Sequence, residues 1–240
     1  MDYGLQLYSV RDITDKDFFG ALEEVRKIGY KYIEPAGFFG HMAEEVKAKC
    51  DELGFVVSGS HSGFQDLLDR FDETVAYHKA IGNKNYIIPG VKLSTKADVD
   101  FFIEKINELQ PRLAAEGITV SYHNHDGEFK PNEDGIIPYD EIVARTKIGL
   151  EIDTYWAYAA GKDPVALMEE LKDRLTFIHI KDGLADRTGK PLGLGTAPVK
   201  AVYAKAAELG VLMVVESETL KPDGLTEARI CYEYLKGLEG

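Results

Sequence analysis

The sequence predicts a closed (β/α)8 barrel, an α/β fold in which eight parallel strands are each followed by a helix. Three observations carry the prediction. An amphipathic stretch, then Gly or Asn, then a short β-rich run recurs in EEVRKIGYKYIEP (23–35), KCDELGFVVSGSH (49–61), HKAIGNKNYIIPG (78–90), RLAAEGITVSYHNH (112–125) and KAAELGVLMVVESE (205–218). Adding the opening run and two further β-rich runs brings the strands to eight, and the 240-residue length is close to the ~250 usual for such a barrel. A doubly wound open sheet is the alternative for the same alternation.

Taken in order, the strands are YGLQLYSV (3–10), YKYIEPA (30–36), FVVSGSH (55–61), NYIIPG (85–90), TVSYHNH (119–125), IGLEIDTYW (148–156), LTFIHIKD (175–182) and LMVVESE (212–218). Helical periodicity separates them. In DFFGALEEVRKI (17–28), Phe18, Leu22, Val25 and Ile28 share one face. A Gly after such a stretch takes the left-handed conformation that ends a helix and lets the chain turn directly into a strand. Long connections follow the fifth strand (126–138) and the seventh (183–198), which a barrel presents at its C-terminal face. No Pro- or Ser-rich linker interrupts residues 1–240, so one barrel domain is expected.

Composition narrows the function. Hydrophobic residues make up 45% of the chain, enough for a large core. The formal charge of −13 opposes a nucleic-acid partner, because phosphate binding draws on clustered Lys and Arg. The opening MDYGLQLYSV has no basic region leading into an apolar segment, and nowhere do the ~18 apolar residues of a membrane span run together. A soluble cytoplasmic protein without a membrane partner is the expectation. Cys50 and Cys231 both fall in helical patterns, which speaks against a disulfide framework or a Cys-based zinc site. The C-terminal helix RICYEYLKGL (229–238) offers Tyr232, Tyr234 and Leu235 as apolar groups for a homo-oligomer.

The polar residues are not scattered. Four successive strands end in ionisable groups: His123 and His125; Glu151 and Asp153; His179, Lys181 and Asp182; Glu216 and Glu218. Residues two apart on a strand share a face, so each pair points one way, and in a barrel the four ends converge. Imidazoles and carboxylates without thiolates suit one divalent ion such as Mn, Mg, Co or Zn. His61 in GSHSG and Glu34 in YIEP lie at the ends of the third and second strands as candidate substrate contacts, Glu34 equally as a salt bridge or a brace for a ligand. Trp156 is available to stack on a sugar. His41 and His78 belong to helix packing or solvent.

The set YSVRD (8–12), YHNHDGEF (122–129), LEIDTYW (150–156), HIKDG (179–183) and VVESE (214–218) resembles the xylose-isomerase-like TIM barrel superfamily of sugar phosphate isomerases and epimerases, over nearly the whole chain. In its ketose 3-epimerases one divalent metal is held by Glu, Asp, His and Glu of the last four strands. The resemblance implies Asp153, His179 and Glu216 for the last three positions. His123 falls where the epimerases have the first Glu, with Glu128 as an alternative ligand. That departure puts the paired-glutamate symmetry of the epimerases in doubt. The YHNH form is more similar to relatives that include inosose dehydratase and keto-glycoside lyases. A second departure is GLGTAP (193–198), where relatives commonly show Gly-Glu-Gly; it reads as a loop, or as a backbone cradle for phosphate.

The chemistry expected of this set is proton removal beside a carbonyl, through an enediolate stabilised by the metal. Glu216, His125 and Glu128 are the candidate acid and base groups, and Lys181 the group that steadies an oxyanion or orients Glu216. Asp182 is expected to anchor the following loop. The leading reading is a sugar isomerase or epimerase, with a keto-sugar dehydratase or lyase as alternative on the same site. The same barrel also accommodates a non-catalytic sugar-binding protein or a phosphodiesterase similar to endonuclease IV, the last opposed by the small number of histidines, six, and by the negative charge.

Overall fold

In the computed structural model, which describes residues 1–239, the β-rich runs pair side by side in parallel. They are β1 (Gly4–Gln6), β2 (Tyr32–Glu34), β3 (Val56–Val57), β4 (Ser60–His61), β5 (Asn85–Ile88), β6 (Thr119–His123), β7 (Gly149–Asp153), β8 (Leu175–Ile180) and, after a small antiparallel hairpin of β9 (Asp182–Gly183) and β10 (Gly189–Lys190), β11 (Leu212–Val215). The hydrogen-bonded order is β3-β2-β1-β11-β8-β7-β6-β5-β4. Since β3 and β4 are halves of the predicted third strand, the two ends of this order meet and the sheet closes as a barrel of eight strand positions.

The seam is visible in the backbone. Ser58 and His61 donate N–H to Ile33 and Pro35 carbonyls at 3.0 and 2.9 Å on one side, while Ser62 donates to the Ile87 carbonyl at 2.9 Å on the other. The interruption centres on Gly59, where a Cβ would stand 2.4 Å from Ile87 Cδ1 and 3.3 Å from Glu34 Oε2. A side chain has no room there.

The helices are α1 (Arg11–Thr14), α2 (Phe18–Ile28), α3 (Ala43–Leu53), α4 (Phe64–Asp69), α5 (Phe71–Ala80), α6 (Lys96–Ala115), α7 (Pro138–Arg145), α8 (Thr154–Ala159), α9 (Pro164–Glu170), α10 (Val199–Leu209) and α11 (Gly224–Leu238). In α2 the Asp17 carboxylate accepts from Gly20 N–H at 2.9 Å, capping the first turn. The stripe of Phe18, Leu22, Val25 and Ile28 is buried, as its spacing predicts. Strand residues of one parity, including Leu5, Ile33, Ile88, Val120, Ile152, Ile178 and Val215, are buried in the same cluster. Full burial of each such side chain contributes roughly 1.5–3 kcal/mol. The other parity fills the barrel interior, where Ile87 and Val214 accompany a set of residues that is otherwise largely polar toward the C-terminal end.

Several predicted strands stop early. The first ends at Gln6 and continues as a 3-10 turn over Leu7–Val10, and the sixth ends at Asp153. Tyr155 and Trp156 therefore lie on α8, because the Asp153 carboxylate accepts from Trp156 N–H at 2.8 Å and starts a helix. Tyr232 packs edge-on against Tyr3 and Tyr30, Leu235 is fully buried, and Tyr234 covers Gly193. These groups serve the chain's own packing. No helix among the described residues is long and apolar enough to cross a membrane.

Candidate metal centre and active site

Strand alternation delivers Gln6, Glu34, His61, His123, Glu151, Asp153 and His179 to the barrel interior, with Lys181 and Glu216 one residue past β8 and β11. All but His61 are buried outright, and the His61 side chain is only 9% exposed. Their donor atoms form two overlapping groups, and in each the atoms lie within 4.8 Å of one another.

The group nearer the C-terminal mouth is His123, Asp153, His179 and Glu216. His179 Nδ1 is 3.4 Å from Glu216 Oε2 and 3.9 Å from Asp153 Oδ2. Asp153 Oδ2 and His179 Nδ1 are buried and make no hydrogen bond. Leaving such atoms unmatched is unfavourable. The four donors thus fit the ligand shell of a divalent ion.

The deeper group is His61, His123, Glu151 and His179. Glu151 Oε2 faces three imidazole nitrogens: His61 Nε2 at 2.8 Å, His123 Nδ1 at 3.2 Å and His179 Nε2 at 3.4 Å. Beside it Glu34 Oε1 accepts from Gln6 Nε2 at 2.7 Å and lies 2.8 Å from His179 Nε2. This contact orients His179: with Nε2–H donating to Glu34, Nδ1 is turned toward Asp153 and Glu216, where a bound ion would take the place of its proton.

Lys181 is the cation of the site. Its ammonium donates to Glu216 Oε2 at 2.9 Å and to Glu218, lies 3.8 Å from Asp153 Oδ2, and stands 4.8 Å from the Trp156 ring centre. Burial works against charging Lys181, yet Glu216, Asp153 and Glu218 outweigh it and raise its pKa. For Glu216 burial is again opposed, by Lys181 and His179, which hold the carboxyl well below its ordinary range. Asp153 is pushed up to about 6, chiefly by burial. Glu151 is raised well above the carboxylate range by burial and by the neighbouring Glu34 charge. Glu34 resists its own burial through His61 and His179 and is held at about 2. His123 is driven well below its ordinary value by burial and the other histidines, whereas the surrounding carboxylates raise His179 despite its burial.

Above these groups opens a cavity of about 420 Å³ lined in part by Tyr8, His61, His123, His125, Glu216 and Glu218. The structure thus gathers His61, His123, His125, His179, Lys181, Glu34, Asp153 and Glu216 at one place. Trp156 flanks Lys181, 6.0 Å from His125 between ring centres, with a buried indole N–H that has no partner.

Glu128 is the exception. It belongs to neither donor group, and its carboxylate accepts from Tyr122 OH and His125 N–H, both at 3.0 Å. Tyr122 has the parity that points away from the interior, so Glu128 is turned outward to brace the turn after β6. The loop of residues 193–198 is equally committed. Asp182 Oδ2 accepts from Gly193 and Gly195 N–H at 2.9 Å each, and Oδ1 accepts from Gly183 and Ala197 at 2.8 and 3.2 Å. Asp182 anchors the loop as expected, and these N–H groups face its carboxylate in place of a phosphate.

Two interior residues carry no role in the sequence reading. Glu151 shares the parity of Asp153, a signal that was present; Gln6 differs from other early polar residues only through its contact with Glu34.

A family profile described as "Xylose isomerase-like TIM barrel" matches residues 22–235. The chain belongs to that family. Among curated proteins, an inosose dehydratase of Geobacillus kaustophilus (strain HTA426) is 20% identical over 264 residues, covering 90% of this chain and 86% of its own. A sugar phosphate isomerase/epimerase from Parabacteroides distasonis ATCC 8503 superposes with a TM-score of 0.80 at 23% identity, covering 97% of this chain and 94% of that one. An L-ribulose 3-epimerase superposes with a TM-score of 0.76 at 15% identity over 100% and 95% of the two chains. At these identities the superpositions establish the barrel fold alone and leave the reaction to the site.

Proposed function

We propose that this xylose isomerase-like barrel is a metal-dependent isomerase or epimerase of a small sugar or sugar phosphate, acting by proton transfer beside a carbonyl. The observation that carries this reading is the buried set His123, Asp153, His179 and Glu216, with unpartnered atoms at the foot of an open cavity. One divalent ion in that set supplies the positive charge that makes a C–H next to a carbonyl acidic near neutral pH.

The chain's own residues do the rest. Glu216 lines the cavity as an unprotonated carboxylate, the form a proton acceptor needs, and Lys181 moderates its basicity. Lys181 keeps that carboxylate in place and presents an ammonium to developing negative charge. His125, also lining the cavity, is the candidate to return a proton. His61 lines the cavity as a hydroxyl contact, Glu34 orients His179, and Trp156 packs its ring over the Lys181 ammonium with a buried, unpartnered N–H. A ligand of sugar size is favoured over a nucleic acid or a membrane, and a cytoplasmic location accords with this chemistry.

A second reading is a keto-sugar dehydratase or lyase. A cavity of about 740 Å³ shares Gly37, His61, Ser62 and Gly63 with the mouth and is lined also by Phe38, Phe39 and Tyr77, giving a departing group room.

Elemental analysis of wild type and Asp153→Ala, followed by solvent deuterium incorporation into a panel of ketoses, tests the proposal. One ion per chain lost in the variant, with exchange at a carbon beside the carbonyl, is expected. Ion without exchange but with elimination of a β-substituent transfers the reading to the lyase. A wild-type protein that takes up no ion after reconstitution sinks both and leaves a sugar-binding barrel.

A further inference from the structure

Beside the mouth of the barrel runs the cleft of about 740 Å³, walled by the segment after β2 and by α5. Gly37, His61, Ser62 and Gly63 line both this cleft and the mouth, so the two spaces are continuous around His61. Its size lies within the roughly 300–1,000 Å³ of sites that bury a drug-sized ligand, which is more than one sugar ring needs.

Where its surface is free, the cleft is apolar. Phe39 is 48% exposed and Met42 61%, and both line it. Phe39 stands at φ +52°, a left-handed conformation unusual for a bulky residue, between Gly37 at +98° and Gly40 at +81°. That backbone holds an aromatic ring in the open, with Phe18 5.7 Å away between ring centres. Phe38 and Tyr77, 4.7 Å apart between centres, line the same cleft.

The polar groups of the cleft are already engaged. Tyr77 OH donates to the His41 carbonyl at 2.9 Å, and Tyr86 OH to the Gly63 carbonyl at 2.6 Å. His78 accepts from Asn83 Nδ2 at 2.9 Å, and Ser62 Oγ lies 3.0 Å from Ser60 Oγ. A second sugar ring would bring hydroxyls to a wall with few free partners, and burying hydroxyls unmatched is unfavourable. Charge opposes a phosphate there. Glu44, Asp66 and Glu73 line the cleft with one guanidinium, that of Arg70, which donates to Asp66 at 2.6 Å.

We propose that the cleft is a subsite for an uncharged aromatic group carried by the substrate, held against Phe38, Phe39 and Met42 while the sugar joined to it reaches past His61 to Lys181 and Glu216. This rests on the reading of the barrel as a sugar enzyme and names the class of sugar, one bearing an aryl or benzyl substituent. An isomerase keeps that group on its product, and a lyase releases it into the cleft.

The test compares ketoses with their O-benzyl ethers. Both are titrated calorimetrically into ion-reconstituted wild type, Phe39→Ser and Met42→Ser, with benzyl alcohol followed by saturation-transfer NMR and sedimentation velocity reporting association. The ether of at least one ketose is expected to bind wild type roughly tenfold more tightly than its parent, the scale of burying one aromatic ring, and to lose that advantage in Phe39→Ser. Ethers that bind no more tightly than their parents, or an advantage that survives in both variants, overturn the subsite and leave the sugar site intact. A wild-type dimer that dissociates in Phe39→Ser also overturns it, by giving this face to a second copy of the chain. Benzyl alcohol bound by wild type and lost in Phe39→Ser, with no ketose or ether bound, keeps the aromatic subsite and removes the sugar reading. Absence of binding by ketose, ether and benzyl alcohol alike overturns both.

Discussion

Lys181 donates to Glu216 Oε2 across 2.9 Å, with both side chains in the barrel interior and 5% or less exposed. A buried pair of this kind is strongly asymmetric: each charge is tolerable because of the other, and removing one strands its partner. Lys181→Met is therefore expected to destabilise the ion-free protein by about 3–5 kcal/mol. Adding a divalent ion should restore part of the loss, since the stranded carboxylates gain a new cation. Urea unfolding with and without the ion measures both, and equal stability of variant and wild type in the ion-free state would sink the account.

Asp153 has two separable duties. Its Oδ1 caps α8 through Trp156 N–H, and its Oδ2 faces His179. Asn preserves the capping acceptor and loses the charge, so Asp153→Asn should keep stability within about 1 kcal/mol while losing the ion. Asp153→Ala loses the cap as well and should be lower by roughly a further 1 kcal/mol. Thermal unfolding beside elemental analysis separates the two duties; an ion retained in both variants would refute the ligand assignment.

The polar faces were legible because a strand's period of two is rigid: once His179 and Asp153 are placed inside, Lys181 and Glu151 follow on the same strands. The ends of the strands were less so. Tyr155 and Trp156 favour β structure locally, yet the Asp153 cap converts them to a helix, and only a residue's hydrogen-bonding choice distinguishes the outcomes. The placement of Glu128 was hidden for a related reason, since its partner Tyr122 is reached through the fold rather than through strand alternation. The break between β3 and β4 falls at Gly59, against which Ile87 packs, a contact between different strands that neither run reveals alone.

Asp182 accepts from four backbone N–H groups, three of them in the loop that follows β10. Asp182→Ala leaves these donors without their acceptor, and a loss of at least about 3 kcal/mol is expected where they stay buried. Hydrogen exchange at Gly193, Gly195 and Ala197 should accelerate ahead of the barrel strands. Unchanged protection at all three would show that the carboxylate is dispensable.

His78 gives a pH signature away from the site. It is buried, accepts from Asn83 Nδ2 through Nδ1 at 2.9 Å, and burial lowers its pKa to about 4 from 6.5. The unfolded chain therefore binds the proton first as pH falls. Its contribution is complete above about pH 6.5 and is lost progressively toward pH 4, on the order of 3 kcal/mol for a shift of this size. Denaturation midpoints across that window should fall more steeply for wild type than for His78→Gln; parallel slopes would contradict the assignment.

The tether on Asp182 also decides how a ligand arrives. Residues 179 to 182 send His179 and Lys181 inward and hold the 193–197 loop by the next side chain, so this wall moves only with the strand that carries the site. It is an abutment rather than a flap. Tyr8, Gly37, His61, Pro89 and His125 line the mouth instead, and a ligand entering past them would meet the carboxylates of Glu216 and Glu218 as well as the imidazoles of His61 and His123. The fixed wall, not a closing loop, would then set which face of the ligand each group meets.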